Sequence, residues 1–362
     1  MVLMKHVVVD ISAHGFGHVA QTAAVLNALP EIEQLTIRTR AANEKTLCER
    51  LHRPFRLMEA ELDTGMIMRD ALTVDVEATM DWYREFHSNY QERRASAARQ
   101  LERLQPDCLL SNVPYLSLDA AGMLGIPNVG LCSLNWADIF LSYCQNEKGS
   151  AEIHNQMVHA YEQCDLFLQP TPSMPMDFIP RRKAIAPVAR VGQKRPLKSL
   201  VKNDAARFIL VGVGGVALDG FPLHQWPRKK NVYWIWPDSI LQKAPKRADF
   251  LAQSLLEQHM SYIDLLASSD LVITKTGYGT QTEAVVNQVP AICINRPDWP
   301  EHACLQEWHN DYGHVLFCDW SDLVSTIADI GNSLLDCEWN KPLVFPSGAQ
   351  EAASILQRDY LS

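Results

Sequence analysis

The chain has 362 residues, of which 47% are hydrophobic and 21% are charged, and its formal net charge at pH 7 is −9. This is the composition of a globular protein, and the length allows two domains, each with its own core. An acidic chain without a basic run repels a phosphate backbone, so nucleic acid is not an expected partner.

The first half of the sequence predicts parallel β-α-β units. A short strand, a glycine-bearing turn at residues 12–18, a helix and a second strand follow one another within the first 39 residues. Consecutive strands that are joined by a helix run parallel. The predicted strands of this half are 5–10, 35–39, 108–111 and 128–132, and the predicted helices are 19–29, 80–104 and 117–124.

A proline-rich stretch separates the two halves. Six prolines lie between residues 170 and 196, and this density disfavours regular elements, which predicts a linker over 170–203. The α/β pattern then restarts. Its predicted strands are 208–213, 232–236, 271–274 and 291–295, and its predicted helices are 260–267, 277–286 and 349–360. We expect one domain at 1–190, a second at 200–345, and a C-terminal helix at 346–362 that can pack back on the first domain.

The sequence also predicts the compartment. The apolar residues Val7 to Val9 stop at Asp10 and are too few for a signal-peptide core or a membrane span. Nine scattered cysteines without a CxxC pair predict buried thiols and not a disulfide framework or a zinc site. We therefore expect a cytoplasmic protein, while peripheral contact with a membrane and the oligomeric state stay open.

Two glycine turns at strand-to-helix junctions, one in each half, are the candidate binding elements. Ligands of parallel sheets bind beyond the carboxyl ends of the strands, where helix amino termini present N–H groups to anions. The second turn, residues 273–283, suits a diphosphate because Gly277 and Gly279 allow close approach and Thr280 or Thr282 can add a hydroxyl donor. The carboxylate of Glu283 can accept hydrogen bonds from both hydroxyls of a ribose, or it can simply complement the helix dipole.

Other nucleotide motifs are missing. Gly214 and Gly215 follow a predicted strand and also allow close approach of a ligand. The sequence has no Walker A pattern, and the turn at residues 14–18 lacks the complete GxGxxG fingerprint. An ATP-binding P-loop and a dehydrogenase are therefore not expected.

His14 and His18 flank the first turn. The positive end of a helix favours a neutral imidazole, which suits a general base that takes a proton from a hydroxyl. Either histidine can instead bond a loop carbonyl, and the sequence does not choose between the two. Asp138 is a candidate to orient the base, and the neighbouring Trp136 either stacks on a substrate ring or lies in the core.

Four blocks occur in one order along the chain, at residues 13–18, 70–75, 135–140 and 275–284. Together they resemble the N-terminal glycosyltransferase-like region of plant-type L-arabinokinases, and more distantly the MurG and UDP-glycosyltransferase group. The resemblance extends from about residue 5 to about residue 355. It implies an α/β GT-B fold, in which two Rossmann-like domains face each other across a cleft and the second domain holds a nucleotide-sugar donor.

The resemblance also implies positions at the donor. Glu283 matches the residue that takes the ribose hydroxyls, and either His14 or His18 matches the base of inverting transferases. The acidic or amide residues that contact the donor sugar in such enzymes are matched only in part, because the usual Asp-Gln or Gln-Gln pair is absent. The resemblance therefore does not identify the donor sugar of this chain. The implied donor-binding residues are Gly214, Gly215, Lys275, Thr276, Gly277, Gly279, Thr280, Glu283, Arg296, Asp298 and Glu301.

The leading hypothesis is a metal-independent, inverting glycosyltransferase that needs no cofactor besides its donor substrate, a UDP-sugar. His14 or His18, with Asp138, would deprotonate the hydroxyl of a small-molecule or lipid-linked acceptor, and backbone N–H groups would stabilise the leaving diphosphate. Two alternatives stay open. One is a nucleotide-sugar epimerase or hydrolase of the same fold, and the other is a non-catalytic nucleotide-sugar-binding module.

Overall fold

The computed structural model of the chain describes residues 5–213, 220–329 and 332–361. Two sheets form its framework, and every strand pair within them is parallel. The first sheet has the order β3-β2-β1-β4-β5-β6-β7, with β1 (His6–Ile11), β2 (Gln34–Thr39), β3 (Arg56–Glu59), β4 (Cys108–Asn112), β5 (Asn128–Leu131), β6 (Leu166–Pro170) and β7 (Arg182–Ile185). The second has the order β10-β9-β8-β11-β12-β13, with β8 (Arg207–Val211), β9 (Val232–Trp236), β10 (Phe250–Ala252), β11 (Leu271–Lys275), β12 (Ala291–Ile294) and β13 (Val315–Cys318).

Helices connect the strands and cover both sheets. In the first half they are α1 (Phe16–Ala28), α2 (Glu44–Arg50), α3 (Val76–Ser88), α4 (Tyr90–Leu104), α5 (Tyr115–Leu124), α6 (Trp136–Cys144) and α7 (Ser150–Glu162). The later helices are α8 (Lys198–Val201), α9 (Asp238–Leu241), α10 (Gln253–Glu257), α11 (Tyr262–Ser268), α12 (Tyr278–Val286), α13 (His302–Tyr312), α14 (Leu323–Asp329), α15 (Asn332–Leu335) and α16 (Gly348–Tyr360).

Each sheet lies between two apolar layers. All six residues of β1 are buried, and its side chains alternate between two clusters: Val8 packs in one, whereas Val7 and Val9 pack in the other. Burial on both faces is the usual state of a parallel sheet. The second of these clusters also contains Ala352 and Leu356 of α16, so the last helix of the chain packs on the first half.

Two predicted elements differ from the structure. The helix predicted over 80–104 is two helices that meet at Asn89, whose φ of −128° and ψ of 36° are not helical. Its side chain accepts a hydrogen bond from Arg93 Nε (2.9 Å), and asparagine is a residue type that favours helix ends. The predicted linker contains a strand, because Arg182–Ile185 pairs with β6 at the edge of the first sheet.

The remaining features concern the thiols and the surface. Six cysteines are buried, including Cys132 and Cys293, as the scattered pattern predicts. Across residues 5–213, 220–329 and 332–361, no helix is both long enough and apolar enough to cross a bilayer.

Candidate active site

The glycine turn after β1 is held by a buried carboxylate. Asp63 is fully buried, and its Oδ1 accepts hydrogen bonds from Ser12 Oγ (2.9 Å) and from the Ala13 N–H (3.1 Å). Its Oδ2 accepts a third from Trp136 Nε1 (2.9 Å). Burial raises the pKa of Asp63 to about 6, against the effect of these donors. At neutral pH this carboxylate fixes the turn that carries His14.

His14 lies where the two halves meet. Its ring contacts Trp136 edge-on at 5.0 Å between centroids, and it stacks nearly parallel on Trp299 of the second half, at 6.0 Å and 12°. Burial, together with the nearby charges of His18, Lys275 and Arg296, lowers the pKa of His14 to about 3. The imidazole is therefore neutral at pH 7 and able to accept a proton.

His18 is fixed deeper in the first half. Its Nδ1 lies 2.9 Å from Asn112 Oδ1, while Asn112 Nδ2 donates to Gln21 Oε1 (3.3 Å) and to the His18 carbonyl (3.4 Å). Because the amide oxygen of Asn112 faces the ring, Nδ1 carries the proton in this arrangement. Burial lowers the pKa of His18 to about 4. Its ring is thus anchored to β4, whereas that of His14 faces the second half.

Asp138 does not orient either histidine, which corrects the expectation from the sequence. Its Oδ2 accepts a hydrogen bond from Asn135 Nδ2 (2.8 Å), and its N–H donates to Asn135 Oδ1 (2.8 Å). Asn135 is the N-cap of α6, so Asp138 lies in the first turn of that helix. A carboxylate there stabilises the helix amino terminus. Trp136, beside it, is fully buried and still contacts both histidine rings.

Sequence reasoning missed Asp63 and Trp299. Asp63 lies in an irregular segment after the edge strand β3, where no motif marks it. Trp299 lies in the stretch after β12, where the sequence predicts contacts with the donor. That prediction names only the two carboxylates and the arginine of this stretch. The signal for Trp299 was its position, since an aromatic residue beyond a strand end can reach the opposite half.

The second glycine turn lies at the start of α12. Lys275 ends β11, and a Cβ built on Gly277 would lie 3.9 Å from its Nζ. Gly279 is exposed and Thr280 is half-buried, so both border the open side of this helix start. The N–H of Gly277 is already bonded to Gln281 Oε1 (2.9 Å). Within the part of the chain that the structure describes, the N–H groups left for a ligand are therefore those of the next residues along α12.

Two predicted donor-binding residues are engaged inside the protein. Thr276 is fully buried, with its Oγ1 within 2.9 Å of His302 Nδ1 and 3.2 Å of the Ile294 carbonyl, so its hydroxyl is not directed to a ligand. Glu283 accepts a hydrogen bond from Arg190 Nε (2.9 Å), a residue of the segment that connects the halves. Gly214 and Gly215 lie outside the described residues.

The stretch after β12 crosses to the first half. Glu301, which is 3% exposed, accepts a hydrogen bond from Ser133 Oγ (2.6 Å), and Asp298 accepts one from Tyr143 Oη (2.8 Å). Burial raises the pKa of Glu301. These bonds hold Arg296, which is 5% exposed, at the seam between the halves. The structure thus brings His14, Lys275, Arg296 and Glu301 together.

Both sheets have the strand order 3-2-1-4-5-6 of the Rossmann fold, with a seventh strand added to the first sheet. Two solved structures are similar to almost the whole chain. The calicheamicin glycosyltransferase CalG4 has a TM-score of 0.60 and 15% identity, over 99% of this chain and 95% of that chain. The spinosyn rhamnosyltransferase SpnG, in complex with thymidine diphosphate, has a TM-score of 0.59 and 15% identity, over 98% and 96%. The chain has the GT-B fold.

Proteins with other activities are also similar to this chain. A UDP-N-acetylglucosamine 2-epimerase matches with a TM-score of 0.57 and 12% identity, over 98% of this chain and 97% of that chain. In sequence, the chain is 23% identical over 318 residues to the L-arabinokinase of Arabidopsis thaliana, which is 83% of this chain but only 29% of that protein. No known protein-family model matches. The expected fold and the resemblance to arabinokinase are confirmed.

Proposed function

We propose that the protein is a metal-independent glycosyltransferase that moves a sugar from a nucleoside diphosphate donor, best a UDP-sugar, to an acceptor hydroxyl with inversion. The observation that carries the proposal is the position of His14. A neutral imidazole lies between a tryptophan of each half and beside two cations of the second half. This is the arrangement that a base needs in order to face a donor anion across a cleft.

The proposed reaction is a single displacement. The acceptor oxygen gives its proton to His14 and attacks the anomeric carbon, and the bond from that carbon to the phosphate oxygen breaks with its electron pair. Lys275 and the amino terminus of α12 stabilise the leaving diphosphate. Glu283 takes the ribose hydroxyls, for which its hydrogen bond from Arg190 is exchanged. His14 is favoured over His18 as the base because its ring reaches Trp299 of the second half, whereas the contact with Asn112 holds the ring of His18 deeper in the first half.

The relatives support the nucleotide part of the proposal. The similar structure of SpnG holds thymidine diphosphate, and two similar enzymes act on or transfer sugars within the same fold. A pyrimidine nucleoside diphosphate is therefore the first ligand to test on this chain. We also propose a cytoplasmic location, which agrees with the buried free cysteines.

Nucleotide binding is tested by thermal unfolding with UDP, dTDP, GDP and CMP and their sugars. A ligand at about a hundredfold excess over its dissociation constant should stabilise the protein by about 2.7 kcal/mol. Glu283→Ala should abolish that stabilisation, whereas Glu307→Ala, an exposed carboxylate on α13, should leave it unchanged. Absence of stabilisation by every nucleotide would refute the donor site.

Catalysis is tested by the release of nucleoside diphosphate from the stabilising donor. His14→Ala should slow release by about 100- to 10,000-fold while nucleotide affinity is retained. Loss of turnover in His18→Ala alone would assign the base to His18 instead. Formation of an epimer or of free sugar as the main product without acceptor would favour the epimerase or hydrolase, and binding without turnover of any donor would favour a sensor.

A further inference from the structure

The guanidinium of Arg296 is buried, and one of its edges has no hydrogen-bond partner within residues 5–213, 220–329 and 332–361. Its Cζ lies 4.4 Å from the centroid of the Trp299 ring. Its Nε and Nη2 are shielded from solvent and have no hydrogen-bond partner among the described residues. These two nitrogens form one edge of the planar group, and their N–H bonds match the two oxygens of a carboxylate.

The nearby carboxylates do not satisfy this edge. Asp298 bonds Tyr143 and Glu301 bonds Ser133, both in the first half. Burial lowers the pKa of Arg296, and the charges of Asp298 and Glu301 oppose this shift, but neither carboxylate is hydrogen-bonded to Nε or Nη2. A buried charged donor without a partner is costly, so the empty edge calls for an anionic ligand.

A second cation lies on the adjacent strand. Lys275 pairs in register with Ile294 of β12, and its Nζ lies beside the glycine turn at the start of α12. Burial and the charge of Arg296 lower the pKa of Lys275 to about 7. Lys275 therefore lies over the helix start, where the proposed function places the diphosphate. Arg296 follows the neighbouring strand β12, in the same stretch as Trp299, whose ring stacks on His14.

We propose that the transferred sugar carries a carboxylate, so that the donor is a nucleoside diphosphate uronate whose carboxylate binds the Nε–Nη2 edge of Arg296. The proposal rests on the proposed transferase function and specifies its donor. The diphosphate occupies Lys275 and the start of α12, which leaves the Arg296 edge for a second anionic group. A neutral hexose offers this edge only hydroxyl oxygens and leaves the guanidinium charge uncompensated.

Isothermal titration with a matched pair of donors tests the proposal. UDP-glucuronate and UDP-glucose differ only at C6, where one has a carboxylate and the other a hydroxymethyl group. The wild-type protein should bind UDP-glucuronate at least about tenfold more tightly. Arg296→Gln should remove most of this preference, and so should Arg296→Lys, which keeps the charge but loses the planar edge. In both variants the affinity for UDP-glucose should stay within about twofold of the wild-type value.

Controls separate the outcomes. Arg228→Gln, at an exposed arginine of the same half, should keep the preference, and thermal unfolding checks that the variants at Arg296 are folded. If UDP is not the preferred nucleotide, the matched pairs are dTDP-glucuronate with dTDP-glucose, or GDP-mannuronate with GDP-mannose.

Two results would overturn the carboxylate assignment. One is equal wild-type affinity for both members of the pair. The other is an equal loss of affinity for the bare nucleoside diphosphate and both sugars in Arg296→Gln, which would place Arg296 on the phosphates. If no nucleoside diphosphate binds, the transferase function itself fails, and that result is distinguishable from the other two.

Discussion

Gly65 allows the loop after β3 to approach His14, the proposed base, and Gly65→Ala tests how far the site depends on this close approach. Gly65 has a φ of +62°, and a Cβ added there would lie 2.6 Å from His14 Cβ, 2.8 Å from His14 Cγ and 2.8 Å from Trp136 Cη2. The atoms at 2.6 and 2.8 Å on His14 belong to the root of its side chain, so the backbone of the turn must shift. The Tyr83 hydroxyl, which bonds the Gly65 carbonyl at 3.0 Å, restrains the loop from moving away.

The expected cost has two parts. An L-residue at this φ costs about 1–2 kcal/mol, and overpacking of a filled interior adds about 1–3 kcal/mol. Gly125 provides a matched control, because its φ is +66° but a Cβ there would meet nothing within 4 Å. Gly125→Ala should therefore lose only the first part, and Gly65→Ala should lose more by about 1–3 kcal/mol.

Urea unfolding of both variants measures this difference, and diphosphate release from the donor measures its effect on the site. Gly65→Ala should slow release because His14 is displaced, while nucleotide affinity, which depends on the second half, stays unchanged. Gly125→Ala should alter neither. Equal losses of stability in the two variants would refute the reasoning from steric contact, and unchanged turnover in Gly65→Ala would refute the role of His14.

Three further predictions concern stability and closure. Arg38→Met should cost about 3–5 kcal/mol in chemical unfolding, since it leaves the fully buried Asp10 without its ion-pair partner; a loss below about 1 kcal/mol would contradict this. Burial lowers the pKa of His309 to about 3, so below pH 6.5 the unfolded chain binds a proton at this residue that the folded protein does not. The contribution of His309 to the free energy of unfolding is therefore complete above pH 6.5 and is about 2 kcal/mol smaller at pH 5. His309→Gln should reduce this pH dependence. Ser133→Ala removes a hydrogen bond from the first half to Glu301 of the second half, which should weaken the contact between the two halves. The radius of gyration of the ligand-free protein, measured by X-ray scattering, should therefore rise. An unchanged radius would count against this bridge.

The fold was predictable because local patterns and global topology agree. Buried runs such as β1 and β11 end at glycine turns that open helices, and this pattern specifies parallel strands without any long-range information. The helix break at Asn89 and the edge strand β7 were not predictable in the same way. Both depend on tertiary context: one residue leaves the helical region, and one exposed segment gains its partner from the finished sheet.

The candidate site was predictable only where a residue belongs to a strand end. His14 lies just after the end of β1, and Lys275 is the last residue of β11. Sheet topology alone therefore predicts that both lie at the same edge of their sheets, beyond the strand ends. Asp63 comes from an irregular loop, and its importance arises from three donors that are distant in sequence. Asp138 shows the opposite error, since a carboxylate close in sequence to the cleft is used to stabilise the start of its own helix.

The geometry also links the two substrates of the proposed reaction. Burial holds the pKa of His14 low, and the charges of His18, Lys275 and Arg296 add to this shift. A base with a low pKa accepts a proton weakly. A donor anion bound between these cations offsets their charge, and the pKa of His14 then rises towards the range of an effective base. In the proposed reaction, the cations that hold the donor therefore supply the part of the pKa shift of His14 that donor binding relieves, whereas the part caused by burial stays. Proton abstraction is then favoured in the complex in which the displacement can occur.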